Sequence, residues 1–277
     1  MSGVLERTLG ILELLSQHGE GLELAEIAER LQIPRSGTHR LLTDLARLGY
    51  VRQTRGRGDY LLTTKLVSMG LMYLSNSGIV DIAQPMLNRL AEVSGELVRL
   101  SVVDGDRLTW VARAQGARQG LRYDPDMGSD ARLSCSSSGW AFLSTLSETE
   151  ALAIVARQGL GLPEHFGPAA PPTMQALLEA VATTRQRGYS MTADTYTAGL
   201  SAMSAPVRFA GQAAFGVLTI AGPTVRFSFE RMAGLADELV RTAQQLAAIS
   251  GSSPFFSATA AAGEAKPVDG RKPIYAV

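Results

Sequence analysis

The chain has 277 residues, 45% of them hydrophobic and 19% charged, a composition typical of a globular protein with room for two domains. Its single cysteine, Cys135, excludes an intrachain disulfide, and no apolar run is long enough for a membrane span; we therefore expect a cytoplasmic protein with no membrane partner. The formal net charge is zero, but residues 1–32 hold six acids and two bases, whereas residues 33–60 hold six arginines and two acids.

Two helices are predicted at the start of the chain. In residues 4–17, Leu5, Leu9, Leu12 and Leu15 recur at helical spacing and predict one buried stripe. The glycines of HGEG end this helix, and LELAEIAERLQI predicts a short second helix.

A third predicted helix follows Pro34 and has a polar, basic start and an apolar end. It begins near Arg35 or Ser36, where a serine is available as a cap, and ends at Gly49. The predicted inward face consists of Leu41, Leu45 and Leu48.

The segment YVRQTRGRGDYLLT predicts two short strands around a tip that carries Arg55 and Arg57. Three helices followed by a two-stranded ribbon describe a winged helix-turn-helix, which we assign to residues 1–62.

In a helix-turn-helix, the early residues of the second helix of the motif touch base edges in the major groove, while its apolar face holds it on the domain. This explains the divided character of the third helix. We expect Ser36, His39 and Arg40 near bases, and Arg35, Thr38, Arg55 and Arg57 on the DNA backbone. The predicted DNA-contacting residues are Arg35, Ser36, Thr38, His39, Arg40, Thr43, Arg55 and Arg57. The alternative is a winged-helix module for protein interaction or sensing that never touches DNA.

Residues 63–78 predict another helix with an apolar stripe, which includes Met69 and Tyr73. We interpret it as a linker helix, whose apolar side chains could pack on the same chain or on a second copy.

Residues 79–251 mix helices with hairpins, which predicts an antiparallel sheet flanked by helices and an α+β class. The tail, residues 252–277, is rich in Ala, Gly, Pro and Ser, and we expect it to be disordered. The predicted elements are a helix near 80–94, hairpins in 96–114 and 204–222, helices near 136–146, 148–158 and 173–187, and a long helix over 228–250.

The run SCSSSG, residues 134–139, places four hydroxyls, a thiol and a glycine where a helix begins. A helix start favours an anion, so this run predicts part of a pocket for a small molecule. Trp110 and Tyr123 are candidate aromatic walls, and Arg122 is a candidate carboxylate partner. The alternatives stay open: the serines can cap the helix, Trp110 can be core, and Asp194 can bond a loop amide.

Catalysis and metal binding are not supported by the residues available. Cys135 as a nucleophile needs a nearby base, and His165 is the only histidine outside the DNA-binding half. One cysteine and three scattered histidines do not give zinc spacing. We predict no enzyme, no metal and no cofactor, with a cysteine-dependent hydrolase as the remote alternative.

From about residue 4 to residue 250, the chain resembles the IclR-type bacterial transcriptional regulators. Residues 7–51 resemble that family's DNA-binding domain in length, order and motif. GYSMTADTYTAGLSAMSAPVR and VLTIAGP are similar to its effector-domain signatures, and MGSDARLSCSSSGWAFLS resembles the loop and helix that frame its ligand pocket.

The resemblance implies a winged helix-turn-helix, a linker helix and a GAF-like ligand-binding domain. It also implies a homodimer or dimer of dimers on partly palindromic operator DNA, and a small organic or aromatic acid as effector. At the family's pocket positions this chain has Ser134 in place of a histidine, Thr192 in place of an acid with Asp194 nearby, and Ala202 in place of a cysteine. Two further family serines correspond to Thr219 and Ala221. The family's small residues that offer backbone amides to a ligand carboxylate correspond to Ser137 and Ser138. The predicted effector-binding residues are Ser134, Cys135, Ser137, Ser138, Trp110, Tyr123, Thr192, Asp194, Ala202, Thr219 and Ala221. The predicted function is a ligand-responsive DNA-binding transcriptional regulator of a catabolic operon.

Overall fold

A computed structural model describes residues 3–54, 56, 58–123, 131–161 and 163–250. The chain divides into two compact units, residues 1–76 and residues 77–277. The predicted wing arginines, Arg55 and Arg57, and the predicted disordered tail lie outside the described residues.

The first unit contains three helices, a two-stranded antiparallel ribbon and a fourth helix, in the predicted order. Leu22 forms an isolated bridge to Tyr60, which fixes the ribbon against the turn after the first helix. The elements are α1 (Val4–Ser16), α2 (Leu24–Arg30), α3 (Arg35–Arg47), β1 (Val51–Gln53), β2 (Tyr60–Leu62) and α4 (Lys65–Ser77).

The core of this unit forms where α1, α2 and α3 meet, and the predicted stripe on α1 is partly wrong. Ile11 and Leu15 are fully buried, whereas Leu5 is 72% and Leu9 47% exposed. Among the described residues of the unit, no buried cluster includes Leu5 or Leu9. The amphipathic spacing was correct for a helix, but its first turns face outward.

Helix α3 corrects two further expectations. Its N-cap is Pro34, no side chain caps it, and Ser36 lies within its first turn, so the predicted serine cap is wrong. Leu48 is the C-cap and is 48% exposed, while Leu42 takes the inward position. The inward face therefore follows the 3.6-residue period through Thr38, Leu41, Leu42 and Leu45.

The start of α4 is fixed to the end of α3 by short polar contacts. Thr63 Oγ1 donates to the carbonyl of Gly49 at 2.6 Å. Lys65 Nζ donates to the carbonyl of Leu48 at 2.7 Å and lies 4.5 Å from the ring centroid of Tyr50. A cation near the last carbonyls of a helix is favourable, so this junction holds two helices in a defined relation.

The second unit is an antiparallel five-stranded sheet with helices on both faces, which confirms the predicted α+β class and both hairpins. The strand order is β4-β3-β7-β6-β5, and β5 is a short edge strand that the sequence analysis did not predict. A short 3-10 turn, Pro163–His165, precedes α8. The elements are α5 (Ile79–Ser94), β3 (Leu97–Asp104), β4 (Arg107–Gln115), α6 (Ser137–Leu143), α7 (Glu148–Gln158), α8 (Met174–Arg187), β5 (Ser190–Ala193), β6 (Leu200–Val207), β7 (Gly216–Pro223) and α9 (Phe229–Ser250).

None of the described helices is, by itself, both long and apolar enough to cross a membrane. Only α4 and α5 together, as a bent pair, reach that length and apolar composition.

The two faces of the sheet differ in chemistry. Val98, Leu100 and Val102 point to an apolar layer under α5 and α9. The opposite face, toward α6, carries Arg99 and Ser101. A bulge in β4 determines which aromatic residue joins them: the pairing skips Val111, so that Ser101 faces Trp110 while Leu100 faces Ala112. The bulge therefore places Trp110 on the same face as Arg99.

A buried ion pair joins three parts of the second unit. Glu96 is 1% exposed and accepts from Arg226 through both carboxylate oxygens, at 2.7 and 2.8 Å. Arg231 Nη1 lies 3.8 Å from the same carboxylate. Gly222 makes room for the carboxylate of Glu96, since a Cβ on Gly222 would lie 2.4 Å from Glu96 Oε2. The pair thus links the start of β3 to the end of β7 and the start of α9.

We expect Glu96→Ala to lower the free energy of unfolding by about 1.5–3 kcal/mol, because it removes the charge-assisted hydrogen bonds of Arg226, while the side chains of Arg226 and Arg231 stay partly exposed to solvent. Urea unfolding of the full chain measures this. The control is Glu92→Ala, whose side chain is 70% exposed and 4.0 Å from Arg118 and should change stability by no more than about 1 kcal/mol. Equal effects of the two substitutions would contradict the assignment.

Candidate functional site

The outward face of α3 carries the first candidate site. Arg35, Ser36, His39 and Arg40 are exposed, and Thr43, also exposed, donates from Oγ1 to the carbonyl of His39 at 2.8 Å. These residues lie opposite the buried leucines because a helix separates its faces at intervals of three and four residues. Five of the eight predicted DNA-contacting residues therefore share one accessible surface.

Thr38 is the exception and is withdrawn from the predicted DNA-contacting set. It is fully buried, and its hydroxyl donates to the carbonyl of Pro34 at 3.3 Å. Its position, three and four residues before Leu41 and Leu42, was the sequence signal that it belongs to the inward face. Arg55 and Arg57 lie outside the described residues and stay predictions.

The charge of this face is positive toward the start of the helix. Arg47, in the last turn, pairs with Asp44 at 3.3 Å, whereas no ion pair among the described residues involves Arg35 or Arg40. Arginine donates bidentately to guanine or to phosphate oxygens, so this surface has the chemistry to contact a duplex.

The second candidate site is a small cavity between the sheet and the start of α6. Its volume is about 20 Å³, close to the space that one water-sized group needs. Each of the five strands contributes side chains to the lining, and the others come from α6 and from loops. The cavity is lined by Arg99, Trp110, Ser136, Ser137, Ser138, Thr192, Tyr196, Leu200, Ala202, Thr219 and Ala221.

Seven of the predicted effector-binding residues line this cavity: Trp110, Ser137, Ser138, Thr192, Ala202, Thr219 and Ala221. Tyr123 is beside it, with its ring centroid 5.6 Å from the guanidinium carbon of Arg99. The candidate carboxylate partner Arg122 is exposed and is not part of the lining.

Three predicted residues have other structural roles. Ser134 is buried and donates to the carbonyl of Leu160 at 2.8 Å. Asp194 adopts a left-handed conformation, with φ of 57°, and its carboxylate accepts from the amide of Gly199 at 2.6 Å. The alternative that Asp194 bonds a loop amide is therefore the one that the structure shows. Cys135 is buried and does not line the cavity.

The hydroxyls of the serine run are mostly paired within the protein. Ser136 caps α6 by accepting from the amide of Gly139 at 3.0 Å, which is the capping role left open by the sequence. Ser137 and Ser190 share a hydrogen bond of 2.7 Å. Gly139 allows the close approach of this turn, because a Cβ there would lie 2.4 Å from the backbone of Leu133.

Sequence reasoning missed the most unusual residue of the cavity, Arg99. It is 4% exposed, its guanidinium carbon lies 3.8 Å from the ring centroid of Trp110, and its Nε and Nη1 have no hydrogen-bond partner. Burial lowers the pKa of Arg99 from its ordinary value, although Tyr123 and Tyr196 partly oppose the shift. The available signal was a lone charged residue within LVRLSVV, a strand otherwise apolar enough to be covered on both faces.

The environment of Cys135 does not suit a nucleophile. Burial raises the pKa of its thiol to about 12, with smaller opposing effects from Ser134 and Arg132. His165 is exposed on its 3-10 turn. A thiol held neutral has little thiolate to attack a substrate at neutral pH.

We expect native protein at pH 8 to react with a thiol reagent such as DTNB far more slowly than protein in denaturant, because Cys135 is buried and neutral. The raised pKa of Cys135 also makes the stability of the folded protein depend on pH. Its contribution is intact below the unfolded thiol's pKa of about 8.5 and is lost as the pH rises toward 12. Rapid labelling of folded protein would contradict this assignment.

The sequence matches two family descriptions, the IclR helix-turn-helix domain over residues 4–55 and the bacterial transcriptional regulator IclR C-terminal domain over residues 71–248. The acetate operon repressor of Salmonella typhimurium is 29% identical over 243 residues, which cover 87% of this chain and 88% of the repressor.

Solved structures share the fold. An IclR transcriptional regulator from Alicyclobacillus acidocaldarius aligns with a TM-score of 0.78 at 22% identity, covering 91% of this chain and all of that one. An IclR homologue from Microbacterium hydrocarbonoxydans, solved with 4-hydroxybenzoate, aligns with a TM-score of 0.74 at 18% identity, covering 89% of this chain and all of that one.

Proposed function

The chain belongs to the IclR family of bacterial transcriptional regulators, and from this premise we propose how its parts divide the work of a ligand-responsive, DNA-binding regulator. Residues 1–62 bind operator DNA, residues 63–78 form the linker helix, and residues 79–251 bind the effector. The relatives are regulators of transcription, so the function is regulatory.

The observation that carries the DNA-binding role is the exposed face of α3, where Arg35, Ser36, His39 and Arg40 surround the start of the helix. Residues at the start of a recognition helix reach base edges, while the buried leucines keep the helix on its domain. We propose that Ser36, His39 and Arg40 contact bases, that Arg35 contacts phosphate, and that Thr43 borders this contact. The wing arginines, Arg55 and Arg57, complete the proposed interface.

The proposed effector is a small organic or aromatic acid bound in the cavity beside α6. A cavity with apolar walls and a few directed polar groups suits such a molecule. The acid class is supported by the homologue solved with 4-hydroxybenzoate, and a catabolic target is supported by the relative named for the acetate operon. The site of action is the cytoplasm, where bacterial DNA is found.

The proposed assembly is a homodimer, or a dimer of dimers, held in part by the linker helix. On α4, the exposed apolar side chains belong to Val67, Met69, Leu71, Met72 and Tyr73, and on α1 to Val4, Leu5 and Leu9. A helix that exposes apolar groups on several faces needs a partner to cover them. A second copy also fits the function, since a dimer binds two half-sites at once.

Arg40→Ala is expected to weaken binding to the protein's own promoter DNA by about 1–3 kcal/mol, because it removes a forked donor from the base-contacting end of α3. Fluorescence anisotropy titration measures the affinity. Arg40 is exposed, so the melting temperature should be unchanged. Arg118→Ala is the matched control: it removes the same charge from an exposed position in the second unit, and equal losses in both variants would indicate a general charge effect.

Leu71→Asp is expected to shift the protein toward smaller assemblies, because it places a charge on the apolar surface of α4. Light scattering after gel filtration gives the mass at matched concentrations. Val225→Asp, at an apolar position 88% exposed in the second unit, should leave the mass unchanged. An unchanged mass for Leu71→Asp would remove α4 from the proposed interface.

A further inference from the structure

Arg99 is a buried positive charge whose partners among the described residues are incomplete. The side chain lies on β3 and is more than nine-tenths buried, and among the described residues no carboxylate pairs with it. A buried charge without a counterion is costly, and proteins normally neutralise it or pair it. The same unit does this for Glu96, which is buried to a similar extent and held by Arg226.

What stabilises Arg99 instead is aromatic. Its guanidinium carbon lies 3.8 Å from the ring centroid of Trp110 and 5.6 Å from that of Tyr123. Stacking of a guanidinium on an aromatic ring contributes about 1–2 kcal/mol when desolvated. The side chain of Tyr123 also forms a hydrogen bond with Arg99, but Nε and Nη1 have no acceptor. Trp110 occupies this position because the bulge at Val111 rotates it to the face of Arg99.

The unpaired atoms of the cavity are all donors. Within the described lining, the buried polar atoms without a partner are Nε and Nη1 of Arg99 and Nε1 of Trp110. Ser137, Thr192 and Thr219 already have hydrogen-bond partners within the unit. Guanidinium and indole N–H groups cannot accept, so the guest that complements the cavity is an acceptor with negative charge, and a carboxylate is the common organic group of that kind.

We propose that Arg99 is the residue that recognises the carboxylate of the effector, with the indole N–H of Trp110 as a second donor. The apolar side chains of Leu200, Ala202 and Ala221 contact the body of the ligand. This inference rests on the proposed effector-binding role of the cavity and assigns its ligand class to organic monocarboxylates. It also replaces Arg122, the candidate from sequence, with a residue inside the cavity.

The small volume of the cavity gives the recognition a structural consequence. At about 20 Å³ the cavity matches one water-sized group rather than a whole organic acid, so the proposal includes a movement of part of the lining on binding. The Arg99–Trp110 stack is the part with unsatisfied atoms, and it rearranges as the carboxylate replaces the ring as the main partner of the guanidinium. A ligand that rearranges its site distinguishes two arrangements of the protein, which any ligand response requires.

The experiment uses the full chain and four probes, acetate, pyruvate, benzoate and 4-hydroxybenzoate, each beside its primary amide at equal ionic strength. Thermal shift and tryptophan fluorescence report binding. We expect at least one acid, and not its amide, to raise the melting temperature of the wild type. Arg99→Gln should weaken that acid roughly tenfold to a hundredfold, the equivalent of a charge-assisted hydrogen bond, whereas Arg99→Lys should retain part of the affinity. Arg122→Gln is the matched control and should bind the acid as the wild type does.

The melting temperature without any probe distinguishes a binding role of Arg99 from a structural one. Since the charge has no counterion, Arg99→Met should melt at the same temperature as the wild type or higher. Strong destabilisation by Arg99→Met, equal affinity for acid and amide, no stabilisation by any of the four acids, or loss of binding in Arg122→Gln would each overturn the proposal.

The outcome is separable from that of the proposed function. Promoter DNA binding, measured by gel shift without a probe, tests the regulator independently of Arg99. An acid that binds through Arg99 in a protein that shifts no promoter DNA would support this inference and refute the function. Promoter binding together with any of the overturning results above would do the reverse.

Discussion

Strand β3 is covered on both faces and paired on both edges, and this constraint governs the chemistry of the second unit. Glu96 and Arg99, beside and on this strand, are desolvated, so each must find its partners inside the protein. Glu96, just before the strand, finds them in Arg226 and Arg231, which join separate elements. Arg99, three residues further, contacts two aromatic rings and has a hydrogen bond with Tyr123, but it has no carboxylate partner among the described residues. The paired Glu96 therefore stabilises the fold, whereas the incompletely paired Arg99 is the residue that we propose binds the effector.

In the first unit, α3 both presents polar groups to solvent and is anchored by its buried face. Four buried positions on α3 fix the helix, so its opposite face can carry Arg40 and its neighbours without loss of core. The contacts of Thr63 and Lys65 with the end of α3 then extend this fixed geometry into α4. A displacement of α4 would consequently be transmitted to the recognition surface through short hydrogen bonds rather than through a loose loop.

The order of elements could be predicted because helices and hairpins are encoded locally, in periodicity and in turn residues. The outward position of Leu5 and Leu9 could not, since an apolar stripe indicates burial without naming what covers it. Thr38 was predictable from its spacing to Leu41 and Leu42, but its polar side chain favoured the wrong interpretation. Arg99 required the sheet order and the bulge at Val111, both of which depend on pairing between distant segments. The serines were recognised as a helix start, yet their hydroxyls are paired with partners far along the chain, such as Ser190.

If Arg99 binds the effector as proposed, one carboxylate contact has an energy of the size that regulation needs. Coupling between an effector site and a DNA site is typically about 1–3 kcal/mol, and a hydrogen bond to a charged group contributes roughly 1.5–3 kcal/mol. The two ranges overlap, so a ligand need not rebuild the domain; it only needs to satisfy Arg99 in one arrangement and not in the other. Under this proposal the guanidinium of Arg99 supplies that difference, because its Nε and Nη1 have no partner among the described residues until a carboxylate binds. A cavity already filled with satisfied hydroxyls would bind a ligand without favouring either arrangement.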